Sequence, residues 1–351
     1  MFAEKHYPEV MIPEELDAYL AKGWYRMGQT IFTTHFLCFG RSFYSAIWIR
    51  LPLQGYQFRK SLRKIHRRNQ ERFQTKVGPA SITPEKEQLY RRYKASFPGI
   101  LAPSLRDSLL DGEDFNVYNT YEVAVYDDNK LVALSFFDLG KNSAASIMGI
   151  YDPDYRKYSL GFFTMLMEID FSMERGLEFF YPGYVVPGYH RFDYKLRIGE
   201  MEDIEYYDLR TRVWQPYNQL DESEVPLKKM ENRLDRIQEL LTKNNFWSQK
   251  LYYPLFEANL FGFWHAPYFD YPVFLLCSPK VNNTKYYLMA VYDPREDNFQ
   301  LLRCSLFDDL QFYFNEAYTD SFDRRKNFIE LVVIEEVLAS SSQPAEIVQA
   351  F

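Results

Sequence analysis

Three groups of side chains in this sequence have types and spacings suited to chemistry. The first is Arg156-Lys157-Tyr158-Ser159-Leu160-Gly161, set between a strand-like run and a helical one. Backbone N–H groups at such a helix start can cradle a phosphate or pyrophosphate, and a glycine such as Gly161 lets the anion approach closely. Ser159 could equally act as a plain helix cap. The second group is Asp152 and Asp154, just after Tyr151. A carboxylate there could take a proton from an attacking amine or hold a substrate ammonium. Against this, Val291-Tyr292-Asp293-Pro294 repeats the pattern of Ile150-Tyr151-Asp152-Pro153, so Tyr-Asp-Pro could simply be how this chain leaves a strand. The third group gathers Tyr184, His190, Tyr194, Lys195 and Arg197 around Pro187-Gly188. Tyr194 or His190 could supply a proton, and Lys195 or Arg197 could stabilise an oxyanion or bind terminal phosphates. A solvated polar loop is the alternative.

A fourth feature is electrostatic. From Tyr56 to Lys76 the chain holds eight Lys/Arg against one Glu, which is +7 in a protein of net charge −7; the other residues therefore sum to −14. Leu62, Ile65, Asn69 and Phe73 fall at helical spacing, with Arg59, Arg63, Lys64, Arg67 and Arg68 around that stripe. The pattern predicts a basic amphipathic helix. Concentrated positive charge on an acidic protein points to local contact with a polyanion such as RNA backbone. A solvated face, or a dock for the acidic remainder of the chain, is the alternative. His66 reads as one more phosphate contact.

These residues need elements to position them. At 351 residues the chain exceeds what one compact core usually holds. Three segments are expected: an N-terminal module over 1–78, a mixed-sheet domain over 79–215, and an α+β extension over 216–351. In the first, PEELDAYLAKG reads as a short helix and SFYSAIWIRLPL as β-rich. The second runs in order: a helix capped by Thr83, a hairpin turning at Asp127-Asp128-Asn129, a strand ending at Tyr151, a loop, a helix closed by Gly176, and the strand LEFFYPGYVV. IEYYDLRTRVW looks like a last strand. That order is similar to the GNAT acyltransferase fold, so the expected class is α+β with helices flanking a mixed sheet. In the third segment EVPLKKMENRLDRIQELLTKNN is an amphipathic helix and YPVFLLCSP, TKYYLMAVYD and NFQLLRCSLF are strand-like. NFIELVVIEEVLA reads as a helix and SSSQPAEIVQAF as a loosely held tail.

Four short matches, in order, resemble the arginyl-tRNA–protein transferases. Gly23-Trp24-Tyr25-Arg26-Met27-Gly28 looks like that family's entry motif. The basic helix ending in Arg67-Arg68-Asn69 is similar to its Arg/Lys run. Tyr151-Asp152-Pro153-Asp154, Tyr158-Ser159-Leu160-Gly161 and Glu168-Ile169 resemble its longest motif. Tyr184-Val185-Val186-Pro187-Gly188, then Tyr194-Lys195 and Arg197, resemble a fourth. The resemblance spans roughly residues 20–215 and implies transfer of an aminoacyl group from tRNA to a protein or peptide N-terminus. It implies tRNA and an acceptor N-terminus as partners. Tyr194, Lys195 and Asp152 are the implied catalytic residues. Tyr151, Asp154, Tyr158, Ser159, Gly161, Tyr184, His190 and Arg197 are expected at the substrate, with Arg59, Arg63, Lys64, Arg67 and Arg68 on RNA.

The family's N-terminal module carries paired cysteines implicated in binding metal or an iron–sulfur cluster. Here TTHFLCFGRSFYS keeps only Cys38, with His35 nearby. About four thiolates would be needed for a cluster, so no metal and no cofactor are expected. The segment after Tyr217 has no counterpart in the resemblance. The N-terminus lacks a signal-peptide pattern and no run reaches a membrane span, so a cytoplasmic place with no membrane contact is expected. Two rival readings remain: a GNAT enzyme using acyl-CoA, and a non-catalytic RNA- or protein-binding descendant. Ser159, where a CoA site prefers glycine, weighs against the first.

Overall fold

The structure is a computed structural model that describes residues 1–261, 266–278, 286–307 and 316–351. Pro279, Thr284 and Lys285, read above as strand ends, lie outside the described residues. Before residue 79 the chain forms strands β1 (Ala3–His6), β2 (Tyr25–Met27), β3 (Thr30–Thr34), β4 (Phe36–Phe39), β5 (Ser42–Ser45) and β6 (Ile47–Pro52), with helices α1 (Pro13–Leu20) and α2 (Lys60–Arg72). Then follow β7 (Gln74–Pro79), α3 (Pro84–Ser96), α4 (Leu105–Leu110), β8 (Thr120–Asp127), β9 (Lys130–Leu139), β10 (Ser143–Tyr151), α5 (Leu160–Glu174), β11 (Phe179–Val185), β12 (Glu205–Asp208) and β13 (Val213–Pro216). The remainder contains α6 (Pro226–Lys243), β14 (Gln249–Tyr252), β15 (Val273–Ser278), β16 (Tyr286–Asp293), β17 (Asn298–Leu306), α7 (Glu316–Thr319), β18 (Val332–Ser341) and α8 (Pro344–Gln349).

The main sheet has eight strands in the order β13-β12-β6-β11-β10-β9-β8-β7. Every pair is antiparallel except β10 with β11. That parallel neighbour is the one predicted by the strand–loop–helix–strand order, and it gives the α+β, GNAT-like mixed sheet expected. The sheet also takes β6 and most of β7 from before residue 79, so it crosses the expected segment boundary. Its two faces follow the period of two along each strand. Val123 and Val125 join α5 and Leu62 of α2 in one core, while Ala124 joins Leu89 and Tyr90 of α3 in another. Arg26 pins the first segment to this sheet. Its guanidinium bonds Asp138 at 2.9 Å and Thr120 at 2.7 Å, reaches the Leu109 carbonyl, and is buried.

Local signals behave as read at several points. Thr83 accepts from the Lys86 N–H, and Asp128 takes φ 55° at the hairpin tip. IEYYDLRTRVW proves to be two strands, β12 and β13, reversing at Arg212 with φ 58°.

After residue 216 a five-stranded antiparallel sheet, β14-β15-β16-β17-β18, packs beneath α6. Met230, Leu234, Ile237 and Leu241 of α6 are fully buried there. Two expectations fail in this part. NFIELVVIEEVLA is not a helix, and from Val332 on it is the strand β18: Val332, Val333 and Ile334 are β-branched and pair with β17. The tail forms α8, whose Ile347 and Val348 are buried in the same core.

Candidate active site in the splayed sheet

β10 and β11 pair only over Ser143–Ala145 and Phe179–Tyr181. Beyond those three pairs they diverge. β10 shifts register against β9 between Ser146 and Met148, and β11 shifts against β6 between Phe180 and Gly183. Bulges of this kind bend strands and re-aim side chains. The result is an opening in the middle of a sheet whose two faces are otherwise sealed.

The 3-10 turn His190–Ile198 lies over this opening. Lys195 reaches into it and donates to the Tyr184 carbonyl at 3.1 Å. Its ammonium lies 5.1 Å from the Tyr184 ring and 5.3 Å from the Phe192 ring. Burial without an anionic partner pushes its pKa down to about 7. Gly183 makes room for this: it has φ +98°, and a Cβ there would stand 2.8 Å from the Lys195 nitrogen. Tyr194 is 40% exposed as a residue. Burial, with Tyr93, Glu168 and Tyr184 as neighbours, raises its pKa to about 12. Tyr93 belongs to α3 and Glu168 to α5, on opposite faces of the sheet. Groups from both faces therefore act on Tyr194, in the turn that packs against β11.

Tyr151 completes one wall, edge-on to Tyr93 at 5.4 Å. Gly161 lets α5 start against this ring, since a Cβ there would meet Tyr151 Cδ1 at 3.2 Å. Tyr184 lines the other wall, and burial raises its phenol to about 12.

Other expected residues are placed differently. Asp152 is buried and already occupied. It accepts from the Asp154 N–H at 3.1 Å and from Arg92 at 2.9 Å, and pairs with Lys130 at 2.8 Å. Burial alone would raise its pKa, but Lys130, the Asp154 amide and Arg92 together hold it below the ordinary value. These partners tie Asp152 to the turn after β10, where it pairs with Arg92 and Lys130. Asp293 repeats the arrangement, binding the Arg295 N–H and guanidinium, which explains the repeated Tyr-Asp-Pro. Asp154 is exposed on Arg92. Tyr158 packs on Phe73 at 5.1 Å, and its carbonyl accepts from Asn69. His190 points to solvent and pairs with Asp193 at 2.7 Å. Ser159 caps nothing with its side chain; it takes the left-handed conformation, φ 55°, and its carbonyl receives the Phe162 and Phe163 N–H groups.

α2 is the basic helix predicted, over Lys60–Arg72. Leu62 and Asn69 are buried, and α2 lies along α5. Arg63, Lys64, Arg67 and Arg68 are exposed; Arg67 makes a loose pair with Glu71 at 3.7 Å. Arg59 bonds Glu200 at 3.0 Å and the Arg197 carbonyl at 3.2 Å. Arg197 lies over Phe162, in the first turn of α5, at 4.6 Å. A positive surface therefore runs from α2 to the start of α5.

A separate cavity of about 670 Å³ opens between the first segment and the C-terminal sheet, lined in part by Lys22, Trp24, Tyr207 and Arg212. Its charged groups include Arg212 paired with Glu296, and Asp293 paired with Arg295. No helix among the described residues is long and apolar enough to cross a membrane.

Sequence comparison places residues 70–204 within the family model for the C terminus of arginine-tRNA-protein transferase. An aspartate/glutamate leucyltransferase of Leptospira interrogans is 29% identical over 194 residues, covering 54% of this chain and 74% of that protein. One from Helicobacter hepaticus is 26% identical over 210 residues, covering 57% and 83%. Among solved structures, FemX matches with 11% identity and a TM-score of 0.33, covering 54% of this chain and 65% of that one. A GCN5-related N-acetyltransferase from Anabaena variabilis matches with 11% identity and a TM-score of 0.31, covering 58% and 43%.

Proposed function

We propose that this chain, whose residues 70–204 match the family model for the C terminus of arginine-tRNA-protein transferase, is an aminoacyltransferase that moves an aminoacyl group from tRNA to the α-amine of a protein or peptide. The observation that carries the reading is the splay between β10 and β11, with Lys195 and Tyr194 over it and the basic face of α2 beside it.

The chemistry is aminolysis of an ester. The acceptor nitrogen attacks the ester carbonyl, a C–N bond forms, and the C–O bond to the ribose breaks. The nitrogen loses a proton and the ribose oxygen gains one. Lys195, with its pKa near 7, is partly neutral at neutral pH and can accept that proton. Tyr194 stays protonated and donates a hydrogen bond to the oxyanion or the leaving oxygen. An α-amine has a pKa of roughly 8, so modest base assistance is enough, and most of the rate comes from holding amine and ester together. No metal or cofactor enters these steps.

The tRNA backbone lies along Arg63, Lys64, Arg67 and Arg68, with Arg59 and Arg197 leading to the start of α5. That helix start holds the phosphates near the tRNA end. The donor residue is leucine or arginine, the two named for the related proteins, the acceptor is a protein N-terminus, and the site of action is the cytoplasm. The test supplies radiolabelled amino acids charged on total tRNA to peptides with varied N-termini. Label should pass to peptides with a free α-amine. Label transfer that proceeds equally from free amino acids would refute the reading.

A further inference from the structure

Glu168 stands in the middle of α5 with no exposed surface. Among the described residues neither carboxylate oxygen has a close hydrogen-bond partner, and the Ser135 and Ser146 hydroxyls are the polar groups that face it. Buried polar atoms are normally satisfied, and a buried carboxylate with two open acceptor positions is costly. Ser135 of β9 and Ser146 of β10 face it but offset only part of the burial penalty, which drives the carboxyl up to about 8.

Its place in the fold gives this orphan a direction. Ala145 is the last residue of β10 to pair with β11, and Ser146 is the next. Ser146 faces Glu168, so Glu168 lies under the point where the two strands part, near enough for its charge to raise the Tyr194 phenol. The titratable groups around that line are Tyr194 of the 3-10 turn, Tyr93 of α3 and Tyr184 of β11. On the neighbouring α2, His66 faces Asp170, two residues along α5 and roughly 200° around its axis. Among the described residues no cation pairs with this carboxylate. Paired oxygens at a dry floor match a group with two or more N–H donors and a positive charge. A guanidinium meets them in plane, and an ammonium meets them as a point charge. The reacting carbonyl belongs beside Lys195 and Tyr194, so a group seated below them belongs to the residue being transferred.

We propose that Glu168 is the seat of a cationic nitrogen group on the transferred aminoacyl residue, and so helps decide which donor is accepted. This rests on the aminoacyl-transfer reading. Two sources carry that chemistry: a basic side chain, and the α-ammonium that every aminoacyl ester has.

The full chain and its Glu168→Gln variant should be titrated calorimetrically with argininamide, Nα-acetyl-argininamide and leucinamide, in two buffers of different protonation enthalpy. At pH 7 the empty carboxyl holds its proton, so seating a cation releases close to one proton, and affinity rises from pH 6 to 8. In Glu168→Gln, binding should weaken roughly tenfold to a hundredfold and the proton release should vanish. Retained binding of Nα-acetyl-argininamide with loss of leucinamide assigns the site to a basic side chain; the converse assigns it to the α-ammonium. Unchanged binding in the variant, binding without proton release, or no binding of any amide would overturn the proposal. Transfer is scored separately. A protein that transfers but is indifferent to Glu168→Gln keeps its function and loses this inference. One that seats amides on Glu168 but transfers nothing does the reverse.

Discussion

Replacing Glu168 with Gln should stabilise the folded protein by an amount that grows with pH. The carboxyl titrates near 8 in the native state, against 4.5 for the ordinary group. Between those values the native protein holds a proton that the unfolded chain releases. Stability therefore falls as pH rises above 4.5 and levels off above 8. At about 1.4 kcal/mol per unit of difference, the wild-type protein loses about 3 kcal/mol at this site between pH 5.5 and 8.5. The amide does not titrate, so the variant escapes that loss. Lys195 acts in the opposite sense: its pKa falls from 10.5 to about 7, so the native amine is neutral where the unfolded one is charged, and stability is gained as pH rises through that window. Both proteins share that effect, and it cancels in the comparison. Urea unfolding of both at pH 5.5, 7 and 8.5 reads the difference directly. A gap between variant and wild type that is flat in pH would show that Glu168 is not a desolvated carboxyl, and the reasoning about the floor of the splay would fail.

Other perturbations reach the rest of the site. Changing Arg63, Arg67 and Arg68 to Glu should abolish most tRNA binding in a filter or fluorescence assay. Wild-type affinity should drop roughly two to three orders of magnitude from 50 to 200 mM salt if four to six phosphates are neutralised. Lys195→Ala and Tyr194→Phe should lower transfer with little change in melting temperature. The wild-type rate should rise with pH through about 7, and Lys195→Ala should flatten that rise. Ser159→Gly should raise stability by roughly 1 kcal/mol, because Ser159 holds a left-handed conformation without a compensating side-chain bond; thermal melts would show it.

Much of the scaffold was legible because its signals are local. The Thr83 cap, the Asp127-Asp128-Asn129 hairpin and the apolar stripes of α2 and α6 need only neighbouring residues to be read. The insertion of β6 between β11 and β12 was not, because strand pairing across more than a hundred residues leaves no local trace. NFIELVVIEEVLA misled because a short apolar run fits both periods, and only pairing with β17 decides it. In the site, Tyr194 and Lys195 were reached through a resemblance, and the structure supplies what sequence does not: the splay that buries Lys195 beside a carbonyl. Asp152 looked reactive because a sequence does not show that Arg92 and Lys130 already occupy it. Glu168 was noticed only as part of a motif. Inside a largely apolar helix its charge was the available signal, since the buried side of α5 is otherwise Leu, Phe, Met and Ile with the neutral Thr164 and Ser172.

The central claim is that an aminoacyl group passes from tRNA to an α-amine in this splay. Mass spectrometry of one acceptor peptide, free and N-acetylated, after incubation with leucyl-tRNA or arginyl-tRNA tests it most directly. The account predicts that the free peptide gains the mass of one residue at its N-terminus, that the acetylated peptide gains nothing, and that Lys195→Ala loses most of the product. An unmodified free peptide with both donors, or an equal gain on the acetylated one, would contradict it.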